Sequence, residues 1–70
     1  NLYEAAFEIS LRNHKEEAVT VNVIEPMLSD WEILSSTHAH KKTDAHTAQF
    51  DLPVAKHGET KLQYRVRYKF

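Results

Sequence analysis

Cysteine is absent from the 70 residues, so neither a disulfide nor a thiolate zinc site can reinforce the fold. That absence fits a reducing or an oxidising compartment equally. Glycine occurs once, at Gly58, and proline only at Pro26 and Pro53. A single glycine leaves little backbone for a phosphate loop or an oxyanion hole. The net charge is −1, from nine Lys and Arg against ten Asp and Glu, so no large field exists to recruit nucleic acid or an anionic membrane. No apolar run approaches the roughly 18 residues that a membrane helix needs. No signal-peptide pattern is present, and the chain opens inside an amphipathic segment rather than at Met, as expected of a piece of a longer protein.

What remains is one small domain over residues 1–70. A chain of this length buries only roughly 60% of the surface its unfolded form exposes, so its core must be thin. The ordering of that core is written in a period of two. In YEAAFEISLRN, Tyr3, Ala5, Phe7, Ile9 and Leu11 are apolar and alternate with Glu4, Glu8, Ser10 and Arg12, which is a strand with one wet face. The helical alternative would place the polar Ser10 and His14 on a face with Tyr3, Phe7 and Leu11, so the strand is the better fit. NHKEE, from Asn13 to Glu17, is polar throughout and reads as a turn.

Val19, Val21 and Val23 alternate with Thr20 and Asn22 in a second strand, which Pro26 should end because it has no N–H to donate. SDWEILSS predicts a short third strand with Trp31 and Ile33 on one face. Trp31 carries the largest apolar area in the chain and is expected at the centre of the core. Thr47 to Val54 reads as another strand, with Ala48, Phe50, Leu52 and Val54 in phase; Pro53 predicts an edge position or a stop there. Gly58, in KHGE, is expected to supply a positive φ in a hairpin. The last strand alternates without a break, Leu62, Tyr64, Val66, Tyr68 and Phe70 against Lys61, Gln63, Arg65, Arg67 and Lys69. Strands with turn signals every 10 to 15 residues and no helical pattern predict an all-β fold, a small antiparallel sandwich of five to six strands. The scarcity of glycine disfavours a tight barrel with sharp corners.

Four features invite a functional reading. THAHKKTDAH, residues 37 to 46, holds His38, His40 and His46. In an extended segment His38 and His40 share a face and can share a divalent ion, with His46 or Asp44 completing the set. Against this, Lys41 and Lys42 lie between them and repel a cation, and the segment has no apolar side chain larger than alanine. It is expected to be a solvated loop or a weak edge strand, not a metal centre. Ser10, Ser29, Ser35 and Ser36 are candidate nucleophiles, but none sits in an elbow or beside a recognisable base motif. No catalytic residue, cofactor site or metal site is therefore assigned. Lys61, Arg65, Arg67 and Lys69 form a basic stripe, expected to pair with carboxylates of a neighbouring strand rather than to bind a polyanion. Trp31, Tyr64 and Tyr68 could stack a sugar, but the phase of the two tyrosines assigns them to the core.

The ordered series NHKEEAVTVNVIEP, DWEILSS, DAHTAQFDLPV and GETKLQYRVR resembles the C-terminal segment of a bacterial family classed as a domain of unknown function, which includes secreted hypothetical proteins and mucoidy-inhibitor-like proteins. The likeness runs from about Tyr3 to Tyr68 and rests on Asn13, Glu25-Pro26, Asp30-Trp31 and Gly58-Glu59-Thr60. It implies an immunoglobulin-like sandwich at the end of an exported chain, periplasmic or at the cell envelope. It brings no substrate, cofactor or catalytic residue. The expected role is a non-enzymatic structural or interaction module, meeting the rest of its own chain or another envelope protein. The first strand, Tyr3 to Asn13, is its candidate docking edge. The rival is a ligand-binding module for carbohydrate or for metal.

Overall fold

The computed structural model describes all 70 residues, Asn1–Phe70. Six strands form: β1 (Leu2–Arg12), β2 (Val19–Pro26), β3 (Asp30–Ser36), β4 (His40–Asp44), β5 (Thr47–Val54) and β6 (Glu59–Lys69). They make two three-stranded antiparallel sheets, ordered β1-β6-β3 and β2-β5-β4. There is no helix, so no helix is long and apolar enough to cross a membrane. The molecule is elongated, 47 × 20 × 15 Å, because strands of up to 11 residues lie along one axis.

The alternation decides which strands face inward, and the sheet order decides how deeply. β5 and β6 each lie between two neighbours, and their apolar phases are sealed: Phe50, Leu52, Val54, Leu62 and Val66 are fully buried. Ala5, Ile9 and Leu11 of β1, Val23 of β2, and Trp31 and Ile33 of β3 pack against this core only in part. An aromatic ladder crosses the sandwich. Phe7 stacks on Tyr64 (5.3 Å between centroids), Tyr64 on Phe50 (5.1 Å), Phe50 tilts against His40 (6.1 Å), and His40 meets Trp31 (5.9 Å).

Three expectations need correction. Trp31 is not the centre of the core. It is only half-buried, because β3 is an edge strand, and Phe50 and Leu62 on the central strands occupy the deepest positions instead.

Of the two readings of Pro53, the stop holds, because β5 ends one residue later at Val54, and the edge position does not, because β5 is central. Pro53 lies opposite Thr20 in the phase that makes no ladder bonds to β2, as Met27 N–H bonds His46 O seven register lines further on, in the other phase. Its missing N–H would point toward β4, but β4 begins opposite Phe50 and does not reach it. The Pro53 carbonyl accepts from the Thr60 hydroxyl instead (2.7 Å).

Gly58 does not take a positive φ, and β5 and β6 belong to different sheets, so the turn between them is not a hairpin. The positive φ, 52°, falls on His57. Gly58 is required by space: a Cβ there would sit 3.0 Å from the Ala55 carbonyl oxygen, which accepts the Gly58 N–H at 2.9 Å.

Candidate functional site

The histidine-rich segment becomes β4 and the turn after it. β4 buries no residue, and it is held as an edge strand by pairing with β5 and by the inward His40 ring. The three histidines end in different settings. His40 sits in the aromatic ladder, and His38 Nδ1 lies 2.9 Å from the Thr37 hydroxyl. His46 occupies the turn, where its N–H donates to Asp44 Oδ1 at 2.8 Å. That N–H, with the Thr47 hydroxyl second, holds the Asp44 carboxyl below the usual carboxylate range. Asp44 is thereby committed to the turn. No three His, Asp or Glu side chains converge where they could hold a metal ion.

Trp31, Tyr64 and Tyr68 do not assemble into an open platform. The Trp31 indole N–H donates to the Ala45 carbonyl (3.1 Å), and the Lys42 ammonium lies 5.8 Å from its ring centre. Trp31 thus clips the β4–β5 turn to the other sheet. Tyr64 stacks with both Phe7 and Phe50, and Tyr68 packs with Tyr3 and Phe70.

The basic stripe is largely neutralised within its own sheet. Arg67 lies between Glu4 (3.1 Å) and Glu32 (3.9 Å), and Arg65 reaches Glu4 (3.6 Å). Lys61 and Lys69 make no ion pair, but they stand at opposite ends of the strand. Such exposed pairs contribute little stability; their effect is to cancel field.

Sequence reasoning missed Glu25. It continues the inward phase of Val19, Val21 and Val23 and stands opposite the buried Ala48. Its carboxylate faces the hydroxyls of two buried tyrosines. Burial, reinforced by Glu25, pushes the Tyr64 hydroxyl far above the ordinary value of 10.0, and Tyr68 is raised by the same two causes in the same order. The neutral phenols are therefore favoured by the fold. Their contribution is complete below about pH 10 and is lost as the pH climbs toward the raised folded-state values. Thermal melting should show a progressive loss that sets in only above about pH 10, and Tyr64→Phe should flatten it. An equal alkaline loss in Tyr64→Phe would contradict this account.

What the structure leaves uncovered is β1. Sheet order gives four edge strands, β1, β2, β3 and β4. β2 ends in Pro26, β3 carries a bulge between Ile33 and Ser35, and β4 has five residues, two lysines and a bulge. These are the devices that blunt an edge. β1 has none of them: 11 residues, an unbroken register with β6, no proline and no lysine. Its carboxylates are turned to β6, Glu4 to Arg65 and Arg67, and Glu8 to the Gln63 amide (3.2 Å).

The phase of its free backbone groups follows from the ends of the ladder. Asn13 N–H bonds Gly58 O (2.9 Å), and Phe70 N–H bonds Asn1 O (3.0 Å). Odd-numbered residues therefore bond to β6. Leu2, Glu4, Ala6, Glu8, Ser10 and Arg12 present their N–H and C=O groups outward, unpaired. Tyr3 and Phe7 belong to the inner face yet remain 56% and 45% exposed, because the sandwich is open on this side. Together they give the open ladder an apolar lip on its inner face.

No protein-family model, curated protein or solved structure matches the chain.

Proposed function

We propose that this domain is a non-enzymatic interaction module that docks by strand addition at β1. The carrying observation is that β1 alone among the four edges has no proline, lysine or bulge while offering six outward-facing residues in an unbroken ladder. An extended partner segment would gain main-chain hydrogen bonds there, and its alternate side chains would cover Tyr3 and Phe7. The partner is a protein strand, from the rest of the same chain, from another envelope protein or from a second copy of this one. The family resemblance supports placing the module, as an immunoglobulin-like end domain, in an exported bacterial protein, periplasmic or secreted.

Hydrogen exchange tests the reading. Within the whole gene product, the amides of Leu2, Glu4, Ala6, Glu8, Ser10 and Arg12 should exchange more slowly than in the isolated 70 residues. Ala6→Pro should remove that protection. The Ala6 N–H points away from β6, so proline there deletes an outward donor without breaking the internal ladder. Equal exchange of these amides in both forms, with the isolated chain dilute enough to be monomeric, would refute docking at this edge.

A further inference from the structure

Resting on that reading, we infer that the occupant of the β1 edge is a second copy of this chain, joined by antiparallel pairing of β1 with β1 about a two-fold axis through Phe7. Self-pairing must place inner-face residues opposite inner-face residues, because side chains alternate and a one-residue slip reverses the faces. That restricts the axis to a residue position. An axis at Ala6 opposes Glu4 with Glu8 twice, and an axis at Glu8 opposes that carboxylate with its own copy. Like charges directly opposite are destabilising.

The axis at Phe7 avoids both clashes. It overlaps the whole of Leu2–Arg12 with its copy, so all 12 outward N–H and C=O groups of each β1 find partners, against ten for an axis one residue to either side. Glu4 then faces Ser10, and Ala6 faces Glu8. Arg65 is the β6 neighbour of Ala6 and reaches back toward β1 to bind Glu4 (3.6 Å). The second copy's Glu8 therefore enters a row that ends in a guanidinium, across a residue whose methyl side chain leaves it room. On the inner face Tyr3 meets Leu11, and the two Phe7 rings meet at the axis. The product is one six-stranded sheet, β3-β6-β1 joined to β1-β6-β3, with an isologous interface.

Sedimentation equilibrium of the 70-residue chain measures this directly. It should dimerise reversibly with a dissociation constant on the order of 10–100 µM, as small transient interfaces do. Ala6→Glu sets two new carboxylate pairs across the axis while gaining Arg65 within its own sheet; it should weaken the dimer about tenfold. Ser10→Lys sets two ammonium groups against the Glu4 carboxylates and should tighten it by about the same factor. The chain has no native cysteine, so single cysteines map the axis. Phe7→Cys should cross-link under oxidation, and Ala6→Cys and Glu8→Cys should not.

A dimer indifferent to both charge changes would overturn the proposal. So would a monomer up to about 1 mM. If that monomer shows β1 protection within the whole gene product, docking at β1 stands with another occupant. If it shows none, the docking reading falls as well.

Discussion

Replacing Asn13 with alanine should destabilise the domain by about 3 kcal/mol, a large share of the roughly 4–10 kcal/mol that a chain of 70 residues commands. Asn13 is the one buried polar residue, 5% exposed. Its side-chain amide donates to the carbonyls of Glu17 (2.7 Å), Ala55 (3.2 Å) and Val54 (3.3 Å), and its Oδ1 accepts the Lys15 N–H (2.9 Å). Together with the Asn13 N–H on Gly58 O, these bonds tie the β1–β2 loop to the β5–β6 turn, and so one sheet to the other. Alanine leaves the carbonyl of buried Val54 without that donor. Asn13→Asp is the sharper variant. It keeps the shape but turns a second acceptor toward three carbonyls, and should be worse than alanine at neutral pH. The carbonyls and burial raise the carboxyl pKa in the fold, so the protonated form is favoured there. The variant should therefore recover stability as the pH falls from neutral toward about 4, with the recovery complete by there. Urea unfolding with an unchanged slope reads both effects. An aspartate variant as stable as the parent at neutral pH would remove the clip from the account.

Asn13 also shows what a linear reading can reach. NHKEE was legible as a turn, but the three carbonyls that the side chain satisfies come from residues 17, 54 and 55, and no local pattern announces them. The strands that bury a face were legible because burial imposes a period of two on β1, β2, β3, β5 and β6. β4 buries no residue, so no pattern marks it, and it forms because the Asp44–Thr47 turn folds it back on β5. Depth was the less legible quantity. The size of Trp31 pointed to the centre, but depth follows from the number of neighbouring strands, which is a property of topology. Pro53 marked the end of β5 but not the place of β5 in the sheet, since a central strand can still have a one-sided end. The β1 edge lay in the sequence as a long strand without lysine or proline. That it is the one edge without proline, lysine or bulge required the other three for comparison.

Phe50→Ala and Phe7→Ala separate the two uses to which this chain puts its aromatic side chains. Both rings pack on Tyr64, at 5.1 and 5.3 Å, and make similar stacks. Phe50 is fully buried on the central β5, between Val23 and His40 in the register. Its removal opens a cavity that two rigid sheets cannot close, and should cost about 3–5 kcal/mol. In a domain of this size that leaves little folded protein at 37 °C. Phe7 is 45% exposed on an edge, so water already reaches it and fills the space it leaves. Phe7→Ala loses one stack and a fraction of the burial, about 1 kcal/mol. Its midpoint in urea should stay close to that of the parent while β1 loses its apolar lip. Similar losses from the two variants would make Phe7 a core residue of the isolated domain, and the case for β1 as an interaction edge would lose its apolar anchor. A large difference means that Phe7 owes its place less to the fold than to what the fold presents.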